Sequence, residues 1–264
     1  MKMIDMKKLI LLAASACICA AAGAFTLREH ATVAYIAEKH LTPEARAVID
    51  EILQGEHLYE FSSYPDFFRT EWINEEGKEI RHSYYVDMDM YPTWKGAGGA
   101  LRKAVAAMGS WRSLSQEERI KNMSIIIHLM GDVHCPSHVK YADGRDKMIK
   151  VLYYKSKPKS DKSTKVSFHA FWDSWALSQR YCGGYVDMAQ IIDTWPEEKV
   201  ARVQKGDLRD WIHDSAFCCK DIFDVADESE IDRPYVIRKG DVAKNQVRNA
   251  GYRLAALLNR LFGK

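Results

Sequence analysis

The chain has little net charge, no internal repeat and no run of proline, serine and glycine long enough to separate two domains. Its 264 residues contain 38 lysines and arginines against 36 aspartates and glutamates. This balance argues against a protein that coats a long nucleic acid through many phosphate contacts, although it permits a site for one or two phosphates. The absence of a linker favours one large domain or two tightly packed halves.

The sequence also lacks an apolar run long enough to span a bilayer comfortably. An apolar stretch over residues 9–24 follows three lysines and ends in Ala22-Gly23-Ala24. This pattern predicts a secretory signal peptide, residues 1–24, that is cleaved after Ala24 to release a secreted or periplasmic domain, residues 25–264. A lipoprotein acylated at Cys17 is the alternative. Removal of the signal takes away three lysines and one aspartate, which leaves 35 residues of each sign.

Cysteines are few. After removal of the signal, four of the six remain: Cys135, Cys182, Cys218 and Cys219. Export permits disulfides, and four cysteines allow three connectivities. Adjacent Cys218 and Cys219 rarely pair with each other, so we expect Cys182 to pair with one of them and at least one thiol to stay free.

Helix signals dominate the chain. Thr42 followed by Pro43 is a typical helix start, with an apolar face in residues 45–53. Ser115 and Glu118 form a capping box, and the helix that follows is apolar nearly all round. We therefore expect this second helix to be a buried central one.

Two more helices and one hairpin complete the prediction. Apolar periodicity predicts helices over residues 168–180 and 241–263, while residues 148–154 and 165–168 could pair as a short β-hairpin. The predicted fold is all-α: a single-domain multi-helix bundle with a small β-hairpin insertion.

The histidines carry the chemical information. His128 and Asp132 are four residues apart, and His169 and Asp173 repeat that spacing. On a helix, residues four apart project from the same face. Both pairs lie in apolar stretches, where an ionised carboxylate is costly without a cation partner. A lone buried histidine is usually structural, but two such pairs favour a zinc site.

Further candidates are weaker when taken singly. His138 follows Pro136, where the helix should end, and Asp66 and Arg69 stand close together among aromatic residues. His82 and His30 are two more possible ligands. His30 lies five residues beyond Phe25, the predicted mature N-terminus, whose free amine and carbonyl could chelate a metal.

These residues resemble those of the zinc-dependent single-strand nucleases and 3′-nucleotidases, a family that shares a superfamily with the zinc phospholipases C. The motif over residues 131–138, Gly-Asp-x-His-x-Pro-x-His, together with the His169/Asp173 pair, is highly specific to it. The likeness extends over nearly the whole mature chain, to residues 250–255. We expect a bacterial member of this family.

The resemblance implies three Zn²⁺ ions. The first takes Asp66, His82, His128 and Asp132. Its close partner takes Asp132, His30, and the amine and carbonyl of Phe25. The more distant third takes His138, His169 and Asp173. His134 is then expected to orient ligands without binding metal itself.

The family's mechanism follows from that arrangement. The paired zincs activate a water, and Asp66 orients this nucleophile or accepts its proton. Arg69 offers a forked contact to the phosphate oxygens. The third zinc stabilises the leaving oxygen, so the P–O3′ bond of single-stranded nucleic acid or a nucleotide is cleaved to give 5′-phosphate products.

This chain departs from the family pattern at several positions. Cys135 and Ser137 replace the usual glutamine and leucine, and Ser83 intervenes between His82 and the aromatics. Tyr84 and Tyr85 are therefore candidates for substrate binding, together with Arg69, but base recognition does not transfer directly. The substrate could be a nucleotide, an oligonucleotide or another phosphodiester.

Two other functions compete with a nuclease. A phospholipase C would use the same metals, but in that family the first histidine lies farther from the N-terminus and glutamate usually stands where Asp173 does. A non-catalytic zinc-scavenging protein would need neither Asp66 nor Arg69. No stable protein partner is implied, and the mature form has no predicted transmembrane segment.

Overall fold

The structure is a computed structural model, and it describes residues 27–67, 82–142, 150–154, 163–178, 181–219 and 229–263. The predicted signal peptide lies outside these ranges. So do two candidate site residues, Phe25 and Arg69.

The described part of the chain is predominantly helical, which confirms the predicted fold class. Its α-helices are α1 Leu27–Lys39, α2 Pro43–Leu53, α3 Tyr64–Phe67, α4 Ala97–Met108, α5 Gln116–Asp132, α6 Phe168–Ala170, α7 Ala176–Ser178, α8 Tyr185–Ile192, α9 Glu197–Val203, α10 Leu208–Cys219 and α11 Arg233–Phe262. A π-helix, Phe171–Trp175, joins α6 to α7. Short 3-10 helices occupy Leu58–Phe61, Trp111–Ser113 and Pro136–His138.

Local capping sets two helix starts as predicted. The Thr42 hydroxyl accepts a hydrogen bond from the Ala45 N–H at 3.2 Å at the start of α2. At the start of α5, Ser115 and Glu118 form the complete capping box. Each cap satisfies backbone donors that the first helical turn leaves without an intrahelical partner.

Helix α5 is the central buried helix. Every residue from Met123 to Asp132 is buried, and helices α1, α4 and α11 pack around it. Because His128 and Asp132 lie in this buried half, the surrounding protein excludes water from both side chains.

Helix α11 packs along α1 and supports it. A Cβ atom at Gly251 would lie 2.7 Å from Cβ of Ile36, so only glycine permits this approach of the two helices. The Asn259 side chain bonds to the backbone of His40 and Thr42, which fixes the turn between α1 and α2. These contacts hold the C-terminal half of α1 against α11, while His30 lies in the first turn of α1.

Two small three-stranded sheets flank the helices. In the first, β1 Tyr84–Val86 pairs antiparallel with β2 Pro92–Gly96 and parallel with β3 Val139–Tyr141. Tyr84 lies opposite Val139, so His82, two residues before β1, and His138, directly before β3, are brought together. This sheet was absent from the sequence-based prediction.

The predicted hairpin is present. Strand β4 Lys150–Tyr154 pairs antiparallel with β5 Ser163–Ser167, and β6 Ser229–Ile231 adds to β4 in parallel. Strand β5 leads directly into α6, which places His169 two residues beyond the strand.

Two helix predictions need correction. The last helix begins at Arg233, not near residue 241, because Asp232 caps it by accepting from the Tyr235 N–H at 2.8 Å. The predicted helix over residues 168–180 is interrupted by the π-helix, which contains Asp173. Such π segments widen a helix locally and often occur at functional sites.

The predicted disulfide is not formed. All four cysteines of the described part are free thiols. Cys219 is buried in the core while Cys182 and Cys218 are exposed, and a disulfide would need two sulfurs about 2.05 Å apart. Among the described residues, no helix is both long and apolar enough to cross a membrane.

Candidate metal centre

Five side chains from four parts of the fold meet at one end of α5. His30 comes from the first turn of α1, Asp66 from α3, His82 from the segment before β1, and His128 and Asp132 from α5. The structure therefore brings together every described residue that was predicted to hold the paired zincs.

Asp132 lies at the centre of this cluster. One carboxylate oxygen, Oδ2, is 2.8 Å from His82 Nδ1 and 3.3 Å from His128 Nε2. The other, Oδ1, is 3.4 Å from His30 Nε2. Although burial raises the pKa of Asp132, the neighbouring histidines hold it well below its usual value. The carboxylate is therefore ionised, with Oδ2 facing His82 and His128 and Oδ1 facing His30.

The orientation of His128 leaves a lone pair directed into the cluster. Its Nδ1 donates to the Ser62 carbonyl at 2.7 Å, so Nε2 carries no proton in the neutral ring. This Nε2 lies 3.0 Å from His82 Nδ1. Asp66 completes the group, with Oδ1 3.8 Å from His82 Nε2 and 4.0 Å from His128 Nε2. Lone pairs that converge in this way are stabilised by a cation between them.

Close helix contact sets the position of His30. Its ring stacks on His128 with centroids 4.0 Å apart. A Cβ at Gly131 would lie 2.6 Å from His30 Nδ1, so glycine is required in α5 for His30 to sit here. Burial is the main cause that lowers the pKa of His30, which keeps the ring neutral and able to bind metal.

A second cluster forms beside the first, around Asp173. His169 Nε2 lies 2.8 Å from Asp173 Oδ2, and His138 Nε2 lies 3.6 Å from Asp173 Oδ1. His138 donates from Nδ1 to the His82 carbonyl at 3.1 Å, which turns Nε2 towards Asp173. Burial opposes protonation of His138, but the carboxylates of Asp132 and Asp173 raise its pKa to about 9.

Two residues of this second cluster were not predicted as site residues. Ser137 donates to Asp173 Oδ1 at 2.9 Å, and the Cys135 thiol lies 3.2 Å from the same oxygen. The sequence contains a signal for this role, because Cys135 and Ser137 both lie within the histidine-containing motif over residues 131–138. Both are positions at which this chain departs from the family pattern.

His134 stands apart from both clusters, and its expected role in orienting ligands stays a prediction. Its Nδ1 donates to the Met130 carbonyl at 2.7 Å, and Arg253 donates to its Nε2 at 3.1 Å. Burial, aided by the Arg253 charge, lowers the pKa of His134 to about 3. Both ring nitrogens are therefore hydrogen-bonded. Through Arg253, His134 links α11 to the segment over residues 131–138.

The side chains of the two clusters are suited to binding metal ions. Asp132 Oδ1 and His138 Nε2 are buried and have no hydrogen-bond partner in the described part of the chain, which is costly unless a cation binds there. Among the residues that the structure describes, three groups have ligand atoms within 4.8 Å of one another. They are His30, Asp66 and His128; His82, His128 and Asp132; and Cys135, His138 and Asp173.

Partial exposure defines an open side of the centre. The side chains of His82 and Asp66 are 15% and 16% exposed, and that of His169 is 21% exposed. His30, His128 and Asp132 are wholly buried. Among the described residues, Asp66, His82 and His169 therefore form the edge along which a substrate can approach.

One predicted substrate contact is wrong. Tyr84 is completely buried, with its side chain beneath α4, so it cannot stack on a substrate base. The strand alternates faces, and the adjacent Tyr85 is partly exposed. Tyr85 therefore stays a candidate.

Similarity to known proteins extends across both clusters. A model of the S1/P1 nuclease family matches residues 28–263. Nuclease P1 of Penicillium citrinum is 25% identical over 193 residues, which cover 67% of this chain and 66% of that protein. Nuclease S1 of Aspergillus oryzae is 21% identical over 266 residues, covering 87% of this chain and 89% of that protein.

Proposed function

Because the chain belongs to the S1/P1 nuclease family over residues 28–263, we propose that it is a zinc-dependent phosphodiesterase. It acts as a single-strand endonuclease and 3′-nucleotidase, and it hydrolyses the P–O3′ bond to give 5′-phosphate products. The observation that carries this proposal is the convergence of Asp132 with His30, His82 and His128 in a buried cluster open on one side.

Three zinc ions are proposed to occupy the centre. One is held by Asp66, His82, His128 and Asp132. A second is held by Asp132, His30 and the N-terminal amine and carbonyl of Phe25. The third is held by His138, His169 and Asp173. When bound, these ions supply Lewis-acid stabilisation of the phosphate and activation of an attacking water.

Asp66 has a place suited to proton transfer. It is the carboxylate of the first cluster that retains solvent exposure, whereas Asp132 is fully buried. A carboxylate at the open edge can orient an attacking water and accept its proton. We assign this role to Asp66, and we assign phosphate binding to Arg69, three residues farther along the chain.

Export completes the proposal. Cleavage after Ala24 would release a secreted or periplasmic domain, residues 25–264, and would give Phe25 a free amine. A primary amine has a lone pair for metal, whereas the amide nitrogen of an uncleaved precursor does not. Signal removal would thus be required for activity.

The test is to purify the form that begins at Phe25, measure zinc by mass spectrometry, and assay single-stranded DNA, single-stranded RNA, 3′-nucleotides and phosphatidylcholine in parallel. We expect three zincs and hydrolysis of the nucleic acid substrates. A protein without zinc, or one that hydrolyses only phosphatidylcholine, would contradict the proposal.

Arg69→Lys tests the phosphate contact within the same assay. A lysine keeps the charge but cannot offer two parallel donors, so zinc content should be retained while phosphodiesterase activity falls. Arg46→Lys is the matched control, because Arg46 pairs with Glu38 on α1 at 2.7 Å and has no assigned catalytic role. Equal activity of the two variants would remove Arg69 from the mechanism.

A further inference from the structure

The second cluster contains a sulfur atom for which the proposed function assigns no role. Cys135 is completely buried, and its Sγ lies 3.2 Å from both Asp173 Oδ1 and Ser137 Oγ. Its backbone N–H bonds to the Asp132 carbonyl at 3.0 Å. This turn immediately after α5 directs the residue back towards the metal centre.

The spacing of Cys135 from its neighbours suits a shared ion. Cys135 Sγ and the ligand atoms of His138 and Asp173 all lie within 4.8 Å of one another. Ligands of one tetrahedral zinc are about 3.5 Å apart, since zinc–ligand bonds measure about 2.0–2.3 Å. A small adjustment of side chains brings the three atoms to that separation.

A second observation concerns the imidazole ring of His138. His138 Nε2 is buried and makes no hydrogen bond within the described residues, while its Nδ1 is committed to the His82 carbonyl. Nε2 therefore points into the group that Cys135 and Asp173 form, and it can bind a metal ion there once its proton is lost. Thiolate, imidazole and carboxylate are all common zinc ligands.

We propose that Cys135 binds, through Sγ, the zinc ion held by His138, His169 and Asp173, as its fourth protein ligand. This inference rests on the proposed zinc centre. On binding, the S–H bond breaks, its electron pair forms the sulfur–zinc bond, and the proton is released to solvent. Asp173 Oδ1 loses the thiol but keeps the Ser137 hydroxyl as a donor.

The consequence concerns how firmly this ion is held. Four protein ligands complete a tetrahedron, as in structural zinc sites, whereas three leave a position open. Thiolate also favours soft metals, so this ion should resist chelators longer than its two neighbours.

The experiment measures sulfur coordination directly, with the processed protein that begins at Phe25. X-ray absorption at the zinc edge should detect a sulfur scatterer at about 2.3 Å. The Co²⁺-substituted protein should show a near-ultraviolet thiolate-to-metal charge-transfer band. Both signals should disappear in Cys135→Ser and persist in Cys219→Ser, a control at another fully buried thiol.

The outcomes separate this inference from the proposed function. Sulfur signals that depend on Cys135 support it. A protein that binds zinc and hydrolyses nucleic acid without a sulfur scatterer would refute it alone, and would leave Cys135 as a hydrogen-bond donor to Asp173. A protein that binds no zinc would overturn both. The wild-type spectrum decides the matter even if Cys135→Ser fails to fold.

Discussion

Gly131→Ala tests whether helix contact positions a metal ligand. Gly131 lies in α5 directly before Asp132, and His30 lies across from it in α1. A Cβ at position 131 would meet His30 Nδ1 at 2.6 Å and Cε1 at 2.8 Å, closer than real Cβ contacts. Either the ring must rotate away or the two helices must separate.

The size of the effect follows from two opposing contributions. Replacing a glycine inside a helix by alanine stabilises it by about 0.5–1 kcal/mol. Overpacking a core costs about 1–3 kcal/mol, so we expect a net loss near 1 kcal/mol in the free energy of unfolding.

Displacement of His30 also separates it from Asp132 Oδ1, now 3.4 Å away. Because a misplacement of about 1 Å can cost roughly 100-fold in rate, activity should fall far more than stability.

Gly251→Ala is the matched control. It introduces a similar clash with the same helix α1, at 2.7 Å from Ile36 Cβ, but touches no candidate ligand. Urea denaturation, zinc content and hydrolysis of single-stranded DNA should be measured for both variants. We expect comparable losses of stability, with loss of zinc and activity in Gly131→Ala only. Full zinc and normal turnover in Gly131→Ala, or equal losses of activity in both variants, would refute the reasoning.

Three further predictions use the same assays. Asp132→Asn should reduce kcat more than Asp173→Asn, because Asp132 contacts three histidines of the first cluster; equal losses with unchanged metal content would contradict this. Tyr85→Ala should raise KM while Tyr84→Phe should leave KM unchanged, since Tyr84 is buried; a higher KM in Tyr84→Phe would show that the buried ring does reach substrate. A form with one extra methionine before Phe25 should bind two zincs firmly and be nearly inactive, so three zincs and full activity in that form would exclude the N-terminal ligand.

Much of the helical architecture could be predicted because its causes are local. The caps at Thr42 and Ser115 and the burial of α5 follow from residues within a few positions of one another. The start of α11 was missed although Asp232 and Pro234 signal it. The π-helix around Asp173 had no local signal, because the sequence there fits an ordinary helix equally well.

The chemistry of the site could also be predicted, since it depends on residue type and helical spacing. The pairs His128/Asp132 and His169/Asp173 are each in contact in the structure. The metal ligands themselves stay a prediction, and Phe25 and Arg69 lie outside the described residues.

Tertiary structure alone decided how the parts meet. The parallel pairing of β1 with β3 brings His82 beside His138. The close approach of α1 to Gly131 places the His30 ring beside the Asp132 carboxylate. The same strand pairing turns Tyr84 into the core, and the turn after α5 brings Cys135 to Asp173. No local pattern encodes these contacts, because they join residues far apart in the chain whose positions depend on how whole helices and strands pack. By itself the sequence determined which residues could bind metal and the helices that carry most of them. The packing determined which of them lie together and which side chains line the open edge of the centre.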